Sequence, residues 1–423
     1  MCIKCVGRPR PGIKRPRCVW CSSAAVNSSL RFSCAAAGAC WVFAIIFLVV
    51  ATVPVAGLQQ VGRSVCPGDC DGDGVVRGEE IERVVASLFS REAPCPSVGD
   101  VPAVAEVVAA VSSAVLAAPV CATGLQPRWE ALPPLAGGPR QEVGVAALDG
   151  VVYVIGGITS AAVGVATVEA FDTRTFAWHR VAPLPRALHH VAAVADDRFV
   201  YTAGGYVGAR FIPVADVFRY DPDTDGWEAL APLPVAVGAA AAAVRGGFLH
   251  VVGGGTGARS SNQHHMLDFQ SGVWLRRAAL PDEVNHLAAV VWRDTLYAVG
   301  GRRDPSGVQN TAALYRYDEA NDRWEPRSPM LTARSGHAAA VLKDWLVVFG
   351  GEVNPANFPS FVYPHVEVYE FATDTWRSDV AMPVPRHGFG AAAIGSAVYL
   401  PGGATRAGFG ETSWSDRWVV DLP

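Results

Sequence analysis

The sequence predicts an all-β ring of six four-stranded blades preceded by a small α-helical module, and three observations carry that expectation. Paired glycines recur at Gly156-Gly157, Gly204-Gly205, Gly253-Gly254, Gly300-Gly301, Gly350-Gly351 and Gly402-Gly403, at intervals of 48, 49, 47, 50 and 52 residues. Trp129, Trp178, Trp227, Trp274, Trp324 and Trp376 keep the same beat, spaced 49, 49, 47, 50 and 52. Upstream of both series, acidic residues at alternate positions lead into a helix-like stretch at Glu79–Phe89. A period near 50 residues accommodates one four-stranded sheet per repeat.

The first 57 residues read as an export signal. No Asp or Glu precedes Asp69, whereas Lys4, Arg8, Arg10, Lys14, Arg15, Arg17 and Arg31 are basic. The apolar run Trp41–Val53 is short for a bilayer span of about 20 residues, and small residues follow at Val55, Ala56 and Gly57. A signal cut near Gly57 is expected, with a retained signal anchor as the alternative and membrane attachment only in that case. CIKC and CVWC have a spacing able to hold zinc through thiolates, but their position in a leader argues against a folded site. Removing the seven basic residues leaves 28 basic against 39 acidic residues, a charge of −11. Such a chain has no general attraction to nucleic acid or to an anionic membrane.

Residues 64–122 carry the helical module. In CPGDCDGDGVVRGEEIERVV, Asp69, Asp71 and Asp73 occupy positions 1, 3 and 5 of a calcium loop, Gly74 position 6 and Glu80 position 12, and the Val75 carbonyl supplies position 7. Hard oxygen ligands at alternate positions converge because the loop coils around one ion. Arg77 departs from the oxygen ligand usual at position 9. The Glu, apolar, apolar pattern returns at Glu106, but CPSVGDVPAVAE keeps only Asp100 among plausible early ligands, so one calcium is expected. The tandem resembles the dockerin-like, EF-hand-related modules of secreted bacterial proteins. Glu80 stands where a dockerin usually has Asp, so cohesin recognition is not implied. In an exported chain Cys66, Cys70, Cys95 and Cys121 are expected to form two disulfides, with the pairing open.

From residue 125 to 423 each unit reads as an Ala/Val-rich strand, a turn, a strand ending in the glycine pair as in VVYVIGG, a variable loop, a third strand such as VFRYD, and a tryptophan strand. This pattern resembles the kelch repeat and implies a six-bladed β-propeller. The last unit ends at its third strand, RWVVDL, while PRWEAL around Trp129 is a fourth strand without predecessors, so the two are expected to close the ring. The repeated tryptophans, glycines and acidic turns are thereby assigned to the fold.

Function must come from the loops. In kelch proteins the funnel is lined by the starts of the inner strands and by the loops after the glycine pairs, which here implies His190, His286, Arg334, His337 and Arg386 from the strands. The loops add Arg210, Arg259, Arg302, Arg303 and Arg406. Converging guanidiniums suit carboxylates or sulfates. The expected function is an exported, secreted, cell-surface or periplasmic recognition protein, non-catalytic, with a protein or glycan ligand of acidic character. The alternative is a periplasmic sugar-modifying enzyme similar to sialic acid mutarotase, with Glu352 or Glu411 in proton transfer. Copper chemistry of the galactose-oxidase kind needs a propeller cysteine, and none follows Cys121. The adjacent His264 and His265 read as a loop pair.

Overall fold

The computed structural model describes residues 127–304, 308–353 and 361–420, together with two short strands, Lys4–Cys5 and Cys18–Val19. The chain divides into two units, residues 1–54 and 55–423. In the first, the short strands pair antiparallel with Cys5 opposite Cys18. The apolar leader run, the loop from Asp69 to Glu80 with its Val75 carbonyl, and Cys66, Cys70, Cys95 and Cys121 lie outside the described residues. Among the described residues no helix is long and apolar enough to cross a membrane.

The second unit contains six antiparallel four-stranded sheets. In the first blade the strands are Gly144–Leu148, Val151–Ile155, Val168–Asp172 and Ala177–Val181, each pairing with the next. The inner strands of the other blades are Ala192–Ala195, Ala241–Arg245, Ala288–Trp292, Ala338–Leu342 and Ala392–Ile394. Neighbouring inner strands touch right round the axis, including the last against the first. Their run of Ala and Val follows from that crowding, since larger side chains would force the blades apart.

The apolar core is spread in layers between blades. One layer packs Ile155 and Val168 of the first blade against Leu188, Val200 and Phe218 around the second, all buried. Another joins Phe349 and Val366 to Trp129 and Trp418. Each blade thus supplies half of two layers, and none can bury its own faces alone.

The two repeated signatures have separate jobs in joining the blades. Indole nitrogens of Trp178, Trp227, Trp274, Trp324 and Trp376 donate to the carbonyls of Pro133, Ala182, Ala231, Ala278 and Ser328. Trp129 does the same to Val380 at 3.3 Å. Acidic turn residues add to this latch in three blades: Asp225, Asp322 and Asp374 each accept a neighbouring Tyr hydroxyl and a backbone N–H of the preceding connection. The glycine pairs work at the other end. At Gly204 the backbone is left-handed, φ +65°, and a Cβ would stand 2.3 Å from the Val237 carbonyl oxygen. Gly205 then donates its N–H to that carbonyl at 2.8 Å.

Ring closure is made by the strand Pro127–Leu132, which pairs antiparallel with Ser415–Val420 and sets Trp129 opposite Trp418. His264 and His265 are not a loop pair. They open the third strand of the third blade, both buried, with His264 Nε2 3.0 Å from His250 Nδ1. The alternation of a strand sends the two rings to opposite sides.

Candidate functional site on the propeller axis

Just before each inner strand the chain passes through one residue of left-handed conformation: Glu142, His190, Ala239, His286, Gly336 and Gly388, with φ between 53° and 61°. Their backbones form a closed circle. His190 N–H donates to Glu142 O, Ala239 to His190, His286 to Ala239, Gly336 to His286, Gly388 to Gly336 and Glu142 back to Gly388, at 2.6–3.1 Å. Left-handed backbone costs about 1–2 kcal/mol at a residue with a side chain. Glu142, His190 and His286 hold it, and all three point into one polar girdle.

Around that girdle, His190 Nε2 lies 3.3 Å from Glu142 Oε2. The His190 and His286 rings meet edge to face at 4.9 Å. Arg302 Nη2 stands 3.1 Å from His286 Nε2, and its Nη1 donates to Glu352 Oε1 at 2.9 Å. His387 Nδ1 completes the circuit, 3.5 Å from Glu352 and 3.6 Å from Glu142.

The hydrogen bonds behind the girdle fix its tautomers. His189 Nε2–H donates to the Gly208 carbonyl at 3.2 Å, which leaves His189 Nδ1 to accept from His190 Nδ1–H at 2.7 Å. His190 Nε2 is then a bare lone pair. Asn285 is oriented by its Nδ2 bond to Ser260 at 2.6 Å, so its Oδ1 accepts from His286 Nδ1–H, and His286 Nε2 is likewise a lone pair. Burial, reinforced by His189, holds His190 well below the ordinary histidine range; burial, reinforced by Arg302, does the same for His286. Burial pushes Glu142 up to about 7, its largest cause being desolvation, with Glu352 adding to it and His387 and Arg302 opposing it.

Beside the girdle opens a cavity of about 330 Å³ lined by His190, Tyr206, Arg210, Phe211, Gly255, Gly257, Arg259, Asn285, His286 and Arg302. Five of the ten residues expected in the funnel therefore meet there: Arg210, Arg259, Arg302, His190 and His286. Arg210 and Arg259 are exposed, and their guanidiniums make no hydrogen bond or ion pair among the described residues.

The other five lie elsewhere. Arg303 is turned outward and pairs with Asp282 at 3.0 Å, and Arg406 is exposed on the loop of the sixth blade. Arg334 and Arg386 are corrections: both are fully buried, paired with Glu367 and, at 2.6 Å, with Asp416. His337 is also buried between blades, where desolvation drops it to about 3. The reason is positional. The residue preceding the left-handed one by two turns toward the third strand of the blade it leads into, as Arg140 also does with Glu169 at 2.6 Å. In the second blade the same two positions hold Leu188 and Phe218, packed in one apolar layer. Glu142 was not anticipated. Its signal was available, because Gln141-Glu142 stands before the first inner strand as His189-His190 stands before the second. Glu411 sits on the rim, accepting the Ser160 N–H at 2.7 Å.

Six blades, the glycine-pair bolts and an axial funnel define a kelch-type β-propeller. The chain belongs to the Attractin/LZTR1 beta-propeller family, whose profile matches residues 152–411. Kelch-like protein terF of Aspergillus terreus is 27% identical over 331 residues, covering 73% of this chain and 71% of its own. Alpha-scruin of Limulus polyphemus is 31% identical over 152 residues, 35% of this chain and 16% of scruin. Kelch-like protein 25 of Xenopus tropicalis is 33% identical over 138 residues, 31% of this chain and 22% of that protein. The chain thus spans less than a quarter of the length of these last two. A solved structure of YjhT shares the fold, with a TM-score of 0.58 at 17% identity, covering 69% of this chain and 99% of that one.

Proposed function

We propose that this chain is an exported, non-catalytic recognition protein whose propeller captures an acidic group of a protein or glycan ligand at the funnel mouth. The observation that carries the reading is the pair of free guanidiniums, Arg210 and Arg259, on one cavity with Arg302. A guanidinium without an internal partner is available for bidentate binding of a carboxylate or sulfate. The same face also carries exposed apolar side chains on the loops after the glycine pairs, Ile212, Phe361 and Phe409, which are 55%, 47% and 43% exposed. A basic pocket inside an apolar rim favours a protein ligand presenting an acidic side chain. The Kelch-like relatives support protein binding as the broader class. The leader and the loop at Asp69, Asp71, Asp73 and Glu80 support export and a calcium-stabilised N-terminal module.

Arrayed acidic and neutral peptides and glycans test the reading. Binding to the acidic members should weaken with salt and fall at least tenfold in an Arg210→Ala, Arg259→Ala double variant whose melting temperature is unchanged. Equal binding by that variant would discard it.

One observation favours the enzymatic alternative. Glu142, near half protonation at neutral pH, lies among lone-pair nitrogens close to a cavity, the condition under which a carboxyl serves as acid and base. Altered anomer exchange of an acidic sugar in proton NMR, abolished by Glu142→Gln, would favour it over recognition.

A further inference from the structure

We propose that Glu142, His190 and His286 form a binding site for a divalent first-row metal ion of the zinc class on the propeller axis. One ligand atom from each side chain lies within 4.8 Å of the others. Zinc sits about 2.0–2.1 Å from imidazole nitrogen and about 2.0–2.2 Å from carboxylate oxygen, a separation within reach of small side-chain rotations. Glu142, His190 and His286 come from the first, second and fourth blades, and all are carried by the closed backbone circle, so the main chain itself fixes their mutual positions.

The outer hydrogen bonds have the form that a metal site needs. A ligating histidine donates its second ring N–H to a carbonyl, a carboxylate or a similar acceptor, which fixes ring and tautomer. His190 is held in this way through His189 and the Gly208 carbonyl, and His286 through Asn285 and Ser260. Both leave Nε2 lone pairs directed at the girdle. Two imidazole nitrogens with one carboxylate suit zinc, cobalt or iron; calcium takes an all-oxygen shell.

The girdle also crowds ligand-type nitrogen and oxygen atoms together. The His190 Nε2 lone pair faces a Glu142 oxygen at 3.3 Å. His387 is buried, donates Nε2–H to the Arg406 carbonyl at 2.9 Å, and directs an Nδ1 without a hydrogen-bond partner between Glu142 and Glu352. Two carboxylates, Glu142 and Glu352, meet here beside Arg302, which pairs with Glu352, and beside His387. A cation would draw the Glu142, His190 and His286 donor atoms onto one centre. Arg302 gives up one contact, to His286, and keeps those to Asn285 at 3.0 Å and Glu352 at 2.9 Å. His190 and His286 also line the cavity, so a fourth coordination position faces it. The site uses none of the free arginines and stands or falls independently of the ligand reading.

The test uses the full chain with its thiols alkylated, because the ten cysteines would otherwise compete, and with calcium in excess. Cobalt(II) alone is then added to wild type, Glu142→Gln and His190→Gln. Wild type should take up about one equivalent more than either variant and show visible d–d absorption without thiolate charge-transfer bands. Zinc should raise the melting temperature of wild type and leave both variants unmoved. Equal cobalt uptake by all three proteins overturns the site. So does a wild-type melting temperature that zinc does not change, whether or not the variants fold.

Discussion

Glu130 and Arg417, 287 positions apart in the chain, face each other across the seam that closes the ring, with Arg417 Nε donating to Glu130 Oε2 at 2.8 Å. The pair is partly exposed, so its own worth is small beside the ladder and the indole it accompanies. Glu130→Ala should cost less than about 1 kcal/mol. Trp129→Ala, which empties a buried site between Phe349 and the last strands, should cost roughly 3–5 kcal/mol. Urea denaturation of the two variants checks the ranking; equal losses would show that the seam is held by charge.

The arginines buried between blades should behave as fold residues. Glu367→Gln leaves the fully buried Arg334 without its carboxylate and should destabilise by roughly 3–5 kcal/mol. Replacing both partners by the second blade's solution, Arg334→Leu with Glu367→Phe, should recover most of that loss. Thermal melts of the single and double variants decide it, and a double variant worse than the single would refute the equivalence of the two positions.

Glu142 makes stability depend on pH in a definite direction. Its pKa is raised on folding from 4.5 to about 7, so its contribution is present below the unfolded value and lost as pH rises through 7. With a chelator present, Glu142→Gln should match wild type near pH 4 and exceed it by roughly 3 kcal/mol at pH 8. Melting temperatures across that range provide the measurement, and parallel curves would count against a buried titrating carboxyl.

The buried histidine pair of the third blade acts with the opposite sign. Burial lowers His250 to about 4 and His264 to about 3. Their neutral forms contribute stability above the unfolded value near 6.5, and that contribution is lost as pH falls through about 4 and 3. His264→Leu should therefore flatten the acid limb of the stability curve below pH 6, as followed by circular dichroism.

At the N-terminal side, calorimetry with calcium should give about one site per chain, abolished by Asp69→Ala with Glu80→Ala. An unchanged isotherm would remove the loop assignment.

The repeat made the six-bladed fold legible because each signature residue serves the same local geometry in every blade: a tryptophan reaching a carbonyl of the previous blade, a glycine where no Cβ fits. The site was only partly legible. Arg210, Arg259 and Arg302 line one cavity because loops after the glycine pairs share one face. Arg334 and Arg386 lie off the axis because, in sequence, an arginine beside a strand start looks alike whether it faces the axis or a carboxylate on the third strand of its own blade. Their partners held the distinction. Glu169, Glu367 and Asp416 occur in the blades that carry Arg140, Arg334 and Arg386, whereas Leu188 of the second blade is matched by Phe218.

The circle of six backbone hydrogen bonds separates what holds the molecule together from what it presents. Each link joins main-chain atoms only, so the hydrogen bonds of this dial are independent of the side chains that Glu142, His190, Ala239 and His286 project from it, while Gly388 leaves no room for a Cβ beside Glu142. Specificity can be rewritten at the four positions that already carry a side chain, and the dial keeps its shape while the message changes.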